Sequence, residues 1–187
     1  MLTGILYVIM VTFEILLLGV ICFYVLSLIY SWFKGAPYVP TEKNVIDDIL
    51  KKTKIVPGST FIELGSGDGR VVRRAAKLYA IHGIGVDINP ELNLLARFFA
   101  KIQRLHHIEF RRENVLETDL KTADIIYIYL FPQLIEKMKD TLLHETKSGV
   151  LIISHGFKIP FLSSLLIHTL KGTKFNTFYY KIDGKRN

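Results

Sequence analysis

The chain has 187 residues with 24 Lys and Arg against 17 Asp and Glu, a formal net charge of +7, and a single cysteine. That length holds one domain with a sizeable core and excludes two ordinary ones. Cys22 alone excludes an intrachain disulfide and fits a domain on the reducing side of a membrane. No Cys/His cluster at metal-ligand spacing and no nucleophile elbow is present, so neither a metal nor serine-centred catalysis is expected.

Charge is unevenly spread. From Met1 to Phe33 the one charged side chain is Glu14, and every Lys and Arg lies from Lys34 onward, so residues 34–187 carry +8. Ile15 to Phe33 is an uncharged run of 19 residues. As a helix rising about 1.5 Å per residue it approaches the ~30 Å hydrocarbon core of a bilayer. A cleaved signal peptide needs a basic start and a small-residue end; no Lys or Arg precedes this run, and Tyr30, Trp32 and Phe33 close it. A buried core helix rarely stays uncharged for so long. Glu14 at mid-bilayer would cost about 2.5–3.5 kcal/mol on insertion scales, so a span over 15–33 that leaves it near the far interface is expected. Lys34, Lys43, Lys51, Lys52 and Lys54 follow, which by the positive-inside rule puts the domain in the cytoplasm, with Tyr30 and Trp32 in the inner interfacial belt. The expected organisation is an anchor over 1–34, a linker and pre-domain helix over 35–58, and the functional domain over 59–187. No basic, Ser-rich transit segment precedes the anchor, so a prokaryotic plasma membrane is expected.

Gly35 to Pro40 reads as a linker with two prolines. Thr41 is expected to cap a helix running to about Lys54, with Val45, Ile46, Ile49 and Leu50 on one face. After the Pro57-Gly58 turn the pattern alternates. Thr60–Leu64 is a strand, Gly65–Gly69 a glycine loop, and Arg70–Tyr79 a helix with Val71, Val72, Ala75, Ala76 and Tyr79 inward. Ile84–Val86 is a strand ended by Asp87. Asn89 caps and Pro90 opens the next helix, whose apolar stripe is Leu95, Phe98, Phe99 and Ile102. Strands follow at Ile108–Arg111, Ile125–Leu130 and Val150–Ser154, with a helix over Pro132–Thr146 between the last two. Leu165–Leu170 and Thr177–Ile182 read as a closing hairpin, with a helix over Phe161–Leu170 as the alternative. This is an α/β fold, a mostly parallel Rossmann-like sheet with a C-terminal antiparallel hairpin. Its ligand site is expected at the carboxyl ends of the strands.

The chemistry concentrates in Glu63, Gly65, Ser66, Gly67, Asp68, Gly69 and Arg70, between a strand and a helix. Glycines there allow a tight turn and close ligand approach, and the helix start presents free N–H groups. A dinucleotide site wants Gly-x-Gly-x-x-Gly/Ala, and Arg70 occupies its sixth position. The spacing is instead Gly-x-Gly-x-Gly with an acid two residues ahead. Asp87, at the end of the second strand, suits two ribose hydroxyls and so supports a nucleoside ligand without choosing which. Asn114 follows the third strand, where an amide oxygen can accept from adenine, with Glu113 as the neighbouring alternative. Tyr127 and Tyr129 share a face at the end of the fourth strand, either as acceptor-side groups or as strand-formers. His155 is read as a base or a surface residue. Arg70, Arg73, Arg74, Lys77, Arg111 and Arg112 are a nucleic-acid patch or a solvated face that favours anionic lipid; no aromatic-interleaved RNA motif accompanies them.

The glycine-loop octapeptide resembles motif I of class I S-adenosylmethionine-dependent methyltransferases. Together with the apolar N-terminus, Pro37, Tyr38, Pro40 and Thr41, and Gly85, Asp87, Asn89, Pro90 and Leu92, it resembles the small membrane-anchored protein-lysine methyltransferases. In mitochondria these modify the c-ring protein of ATP synthase and the adenine nucleotide translocase, and they have prokaryotic relatives. The resemblance implies that Glu63, Gly65, Ser66, Gly67, Asp68 and Gly69 hold the methionine part of S-adenosylmethionine. Asp87 and Ile88 would hold the ribose, and Asn114 and Val115 the adenine. It implies a substrate site at Pro40, Thr41, Leu130, Phe131 and Pro132, with Tyr127 and Tyr129 as catalytic candidates, helped by Thr41 or Glu42. The Asp/Asn-Pro-Pro-Tyr pattern of enzymes that methylate adenine amines or glutamine amides is absent at residues 129–132. The expected activity is N-methylation of lysine in a membrane-associated protein. A lipid head group or quinone precursor as acceptor, a non-enzymatic membrane-tethered nucleotide-binding module, and a dinucleotide-linked oxidoreductase are the other readings.

Overall fold

A computed structural model describes residues 2–34 and 40–183, with backbone alone for helix residues 2, 27, 28 and 30–34. The linker at 35–39 and the interfacial roles expected of Tyr30 and Trp32 lie outside that description. The chain separates into two units, Met1–Tyr38 and Val39–Asn187.

The first unit is one helix, α1 (Leu2–Lys34), of 33 residues. Its described side chains are outward and apolar on every side, and Thr12 satisfies its hydroxyl on the Val8 carbonyl at 2.8 Å. By length and composition it can cross a membrane. The most apolar described stretch is Thr3–Leu26. That places Glu14 inside the window and not at its edge, because residues 3–13 are as apolar as those that follow.

The second unit is built on a seven-stranded sheet. Its strands are β1 (Thr60–Leu64), β2 (His82–Asp87), β3 (Ile108–Arg112), β4 (Ile125–Ile128), β5 (Leu151–His155), β6 (Leu166–Leu170) and β7 (Thr177–Lys181). They lie in the order β3-β2-β1-β4-β5-β7-β6. β1 to β5 are parallel to their neighbours, while β7 runs antiparallel to both β5 and β6. The order reverses between β1 and β4, which makes the ends of those two strands the switch point. β4 ends at Ile128, two residues short of its expected end, and all four of its residues are buried, as a central strand requires.

The helices show where sequence periodicity holds and where it fails. α2 (Lys43–Lys52) buries Ile46, Ile49 and Leu50 as expected, but its N-cap is Glu42, with no side-chain cap. Thr41 is instead buried against the domain. α3 (Arg70–Tyr79) has its expected bounds. α4 (Pro90–Ile102) is capped as expected, with the Asn89 side chain accepting from Leu92 N–H at 2.9 Å. Its expected stripe, however, faces out: Leu92, Asn93, Ala96 and Ala100 are buried, while Leu95, Phe98 and Ile102 are exposed. Small residues let α4 sit close to the sheet, where Gly69 and the Phe110 ring leave no room for bulk. The expected helix over Pro132–Thr146 is broken into α5 (Pro132–Lys137) and a π-helical turn at Thr141–Glu145. Nothing in the sequence marks that break. The closing hairpin is present, preceded by a 3-10 turn at Pro160–Leu165, so the alternative helix there holds for its first half alone.

Gly69 begins α3 with φ +71°, and a Cβ there would meet the Phe110 Cε1 atom at 2.3 Å. Gly58 has φ +82° but open space around it. Gly58→Ala should therefore cost about 1–2 kcal/mol of left-handed strain. Gly69→Ala should add overpacking of about 1–3 kcal/mol to that strain. Urea unfolding of the two variants checks the order.

Candidate functional site

The loop after β1 is shaped by backbone bonds to the end of β2. Gly65 and Ser66 N–H both donate to the Val86 carbonyl at 2.8 Å. Gly67 N–H then donates to one oxygen of Asp87 at 2.8 Å, while Asn89 N–H donates to the other at 2.8 Å. Asn93 holds the Asp87 carbonyl at 2.8 Å, and Glu113 N–H reaches the same carbonyl at 3.2 Å. One carboxylate with its own backbone thus joins the ends of β1, β2 and β3 and the start of α4. Burial raises the pKa of Asp87, and the N–H donors of Asn89, Gly67 and Ile88 pull it back.

Glu63 does the corresponding work for α3. Gly69 has no side chain to cap that helix, and the Glu63 Oε2 atom accepts from Val72 N–H at 2.9 Å. The side chain is buried, and desolvation lifts its carboxyl well above the usual range. Asp68 faces the other way: its carboxylate takes Arg70 Nε at 2.9 Å and lies 3.6 Å from Arg73 Nη2. Arg70 also reaches the Thr41 carbonyl at 3.3 Å. Arg70, a bulky misfit in a dinucleotide loop, here ties the loop to the segment ahead of α2. Ser66 remains: its hydroxyl is buried without a partner, beside Gly85.

Leu130, after β4, packs so closely on the loop that a Cβ on Gly65 would meet it at 2.5 Å. The expected acceptor-side pair separates into two environments. Tyr127 is 1% exposed; its hydroxyl lies toward Thr41 without closing a hydrogen bond, and burial beside Glu63 pushes its pKa well up. Tyr129 is half-buried in a group of rings, with His155 at 4.7 Å and Phe175 at 6.1 Å between centroids. Gly156, at φ +86°, makes space for it, since a Cβ there would meet the Tyr129 Cε2 atom at 2.8 Å. Phe131 packs on Phe157 at 6.2 Å, and Pro132 and Pro40 are exposed.

His155 is buried, contrary to a surface position. Its Nδ1 atom shares a hydrogen bond with the Thr177 hydroxyl at 2.9 Å, and burial lowers its pKa to about 4, so the ring is neutral near pH 7. The sequence held a signal for this. Ile128 pairs with Ser154 and His155 with Thr177, so a parallel β4–β5 pair with aligned ends brings Tyr129, His155 and Thr177 together. Phe157, Phe175 and Thr177 were not picked out, because they lie in segments where alternation had already failed. Asn114 caps the short 3-10 turn at Val115–Glu117: its oxygen accepts from Leu116 N–H at 3.2 Å and its amide donates to Glu117 at 3.2 Å. Its side chain is therefore already engaged.

Comparison with known proteins decides what this geometry serves. Residues 63–164 match the ANTKMT methyltransferase domain model. The chain belongs to that family. It is an S-adenosylmethionine-dependent methyltransferase of class I, and S-adenosylmethionine is its cofactor. It is 30% identical over 133 residues to a protein-lysine N-methyltransferase of Saccharolobus islandicus (strain REY15A), covering 69% of this chain and 81% of that one. It is 27% identical to the adenine nucleotide translocase lysine N-methyltransferase of Mus musculus. It is 26% identical to the Homo sapiens lysine N-methyltransferase named for the c-ring protein of ATP synthase. In both cases 66% of this chain is covered, and the chain spans about half the relative's length, 54% and 53%. Among solved structures, an RNA methyltransferase from Salinibacter ruber in complex with S-adenosyl-L-homocysteine superposes with a TM-score of 0.74 at 29% identity, covering 80% of this chain and 97% of that one.

The residues present fit the family's cofactor. The loop's glycines leave no room for Cβ atoms on its packed side, and an unpartnered serine hydroxyl sits within it. Buried acids stand at both ends of the loop's approach. Glu63 and Asp87 both have raised pKa values, so ionising either costs more in the fold than in the unfolded chain. Stability from such a group is full below the unfolded pKa, near 4.5 for Glu63, and is lost as pH rises through the higher folded value. Glu63→Gln keeps an acceptor for Val72 N–H and cannot ionise. It should match the parent near pH 4.5 and unfold at higher urea than the parent at pH 8, in the cofactor-free protein. An unchanged pH slope would place the ionisation elsewhere.

Proposed function

We propose that this methyltransferase transfers a methyl group to the ε-amine of lysine in a membrane-associated protein, from a domain at residues 59–187 held on the cytoplasmic side by α1 through residues 35–58. The observation that carries it is the recess of Tyr129, His155 and Phe175 at the ends of β4 and β5, which is aromatic and neutral and holds no carboxylate. The protein-lysine methyltransferases among the relatives support the acceptor, and two of them are named for membrane proteins.

S-adenosylmethionine, when bound, supplies the methyl group on a positively charged sulfonium. Gly65 to Gly69 and Glu63 would hold its methionine part, Asp87 and Ile88 the ribose, and Asn114 and Val115 the adenine. Asp68, paired with Arg70 and Arg73, would shape the loop without touching the ligand. A lysine of ordinary pKa, about 10.4, is protonated in water and lacks the lone pair needed for attack. Rings around the amine desolvate it and favour its neutral form, as does any neighbouring positive charge. Tyr129 and Phe175 would form that desolvated wall, and Leu130 and Phe131 would line the approach. His155, neutral and fixed on Thr177, would orient Tyr129. Tyr127, buried in the core, supports Glu63 from beneath and has no route to the acceptor. Alignment of amine and methyl carbon supplies much of the acceleration. The basic charge and the RNA methyltransferase among the structural relatives make RNA the second reading.

Incubating the full chain with native membranes and S-adenosylmethionine carrying a tritiated methyl group tests both. Label recovered as ε-N-methyl-lysine after protein hydrolysis is expected. Label in extracted lipid or in RNA would overturn the acceptor. With a lysine acceptor, kcat/KM should rise with pH as the amine deprotonates. His155→Asn should keep that rise and lower kcat about 10- to 100-fold through misplacement, because the histidine does not titrate above pH 5. A profile that loses its ascending limb in this variant would make His155 the titrating base.

A further inference from the structure

The misplaced stripe of α4 is the largest apolar feature on the domain's surface that the methyl-transfer site does not use. Leu94, Phe98 and Ile102 stand one turn apart and are 57–70% exposed, with Leu95 beside them. Large side chains in such a row on a soluble domain mark a binding surface. The ridge is bordered by charge. Lys101 and Arg104 are exposed at its end. Next to it, a cavity of about 330 Å³ follows the outer face of α3, lined among others by Lys43, Arg73, Arg74, Lys77 and Gln103. The two features are continuous: the Arg73 guanidinium lies 5.0 Å over the Phe99 ring, and Phe99 packs on Phe98 at 5.8 Å. Asp47 and Asp68 pair with the groove's arginines, while Lys43 and Lys77 make no ion pair among the described residues.

We propose that the α3–α4 face docks on an anionic bilayer surface, with the α4 ridge in the acyl boundary and the α3 groove holding a lipid phosphate. A convex row of aliphatic side chains matches the interfacial region of a bilayer, into which an amphipathic helix sinks its apolar face. Cations directly beside that row match the phosphates of an anionic leaflet. RNA fits less well, because Leu94 and Ile102 offer no plane for a base to stack on. The docking deepens the membrane reading of α1: it brings the methyl-transfer site to lysines at the bilayer surface and would hold it there in one orientation.

The test uses the full chain in discs of phosphatidylcholine, with and without phosphatidylglycerol. An environment-sensitive fluorophore is placed on Phe98→Cys in a Cys22→Ser background, with Glu136→Cys on α5 as the control position. Blue-shifted emission at 98, quenched by brominated acyl chains, is expected in the phosphatidylglycerol discs and not at 136. Lys43→Glu with Lys77→Glu should abolish the shift and leave S-adenosylmethionine affinity unchanged. Identical emission in both discs would overturn the docking, as would a shift produced by single-stranded RNA or by raising protein concentration without lipid. Failure of the chain to stay with the discs would sink the tether instead, and adding vesicles of the same compositions would still read the face.

Discussion

Two backbone N–H groups from different connections converge on one buried carboxylate at the end of β2. Gly67 in the loop after β1 and Asn89 ahead of α4 each donate to an oxygen of Asp87. A carboxylate out of water is costly unless its acceptor positions are filled. The fold fills them with the loop itself, so the price of burying Asp87 becomes the force that shapes the loop. Glu63 repeats the device one strand away, capping α3 where the glycine that lets the chain turn cannot. The site is therefore held by its own acids, and the glycines between them leave the surface on which a ligand can lie.

The acceptor side is built differently. Around Tyr129 the chain offers rings, a neutral histidine and a glycine that yields space, and no acid. Charge organises one half of the site and its absence organises the other. That division suits a reaction in which a cationic donor meets an amine that must first lose its proton.

Much of this was legible in the sequence. Strict alternation of apolar strands with capped helices pointed to the parallel sheet. The loop from Gly65 to Gly69 followed from spacing alone, and Asn89 and Pro90 marked the start of α4 to the residue. Legibility ended where periodicity meets crowding. On α4 the largest apolar side chains suggested the buried face, yet packing against Gly69 and Phe110 admits only small residues, and the large ones were left outside. Tyr127 and Tyr129 share a face but not a depth, which depends on what the neighbouring strands place above them. His155 needed its partner from β7, in a segment with no alternation to follow.

The N-terminal helix and the α4 ridge are separate features that ask for the same surroundings. Each exposes apolar surface that water penalises. The first could serve by length alone, while the second needs cations beside it and has them.

The tie at Asp87 is tested most directly by calorimetric titration of the full chain with S-adenosylmethionine and, separately, with NAD, in the parent and in Asp87→Ala. Binding of S-adenosylmethionine but not NAD is expected in the parent, and no binding of either in a variant that still unfolds cooperatively. Parental affinity in the variant, or a preference for NAD, would contradict a cofactor site organised by this carboxylate.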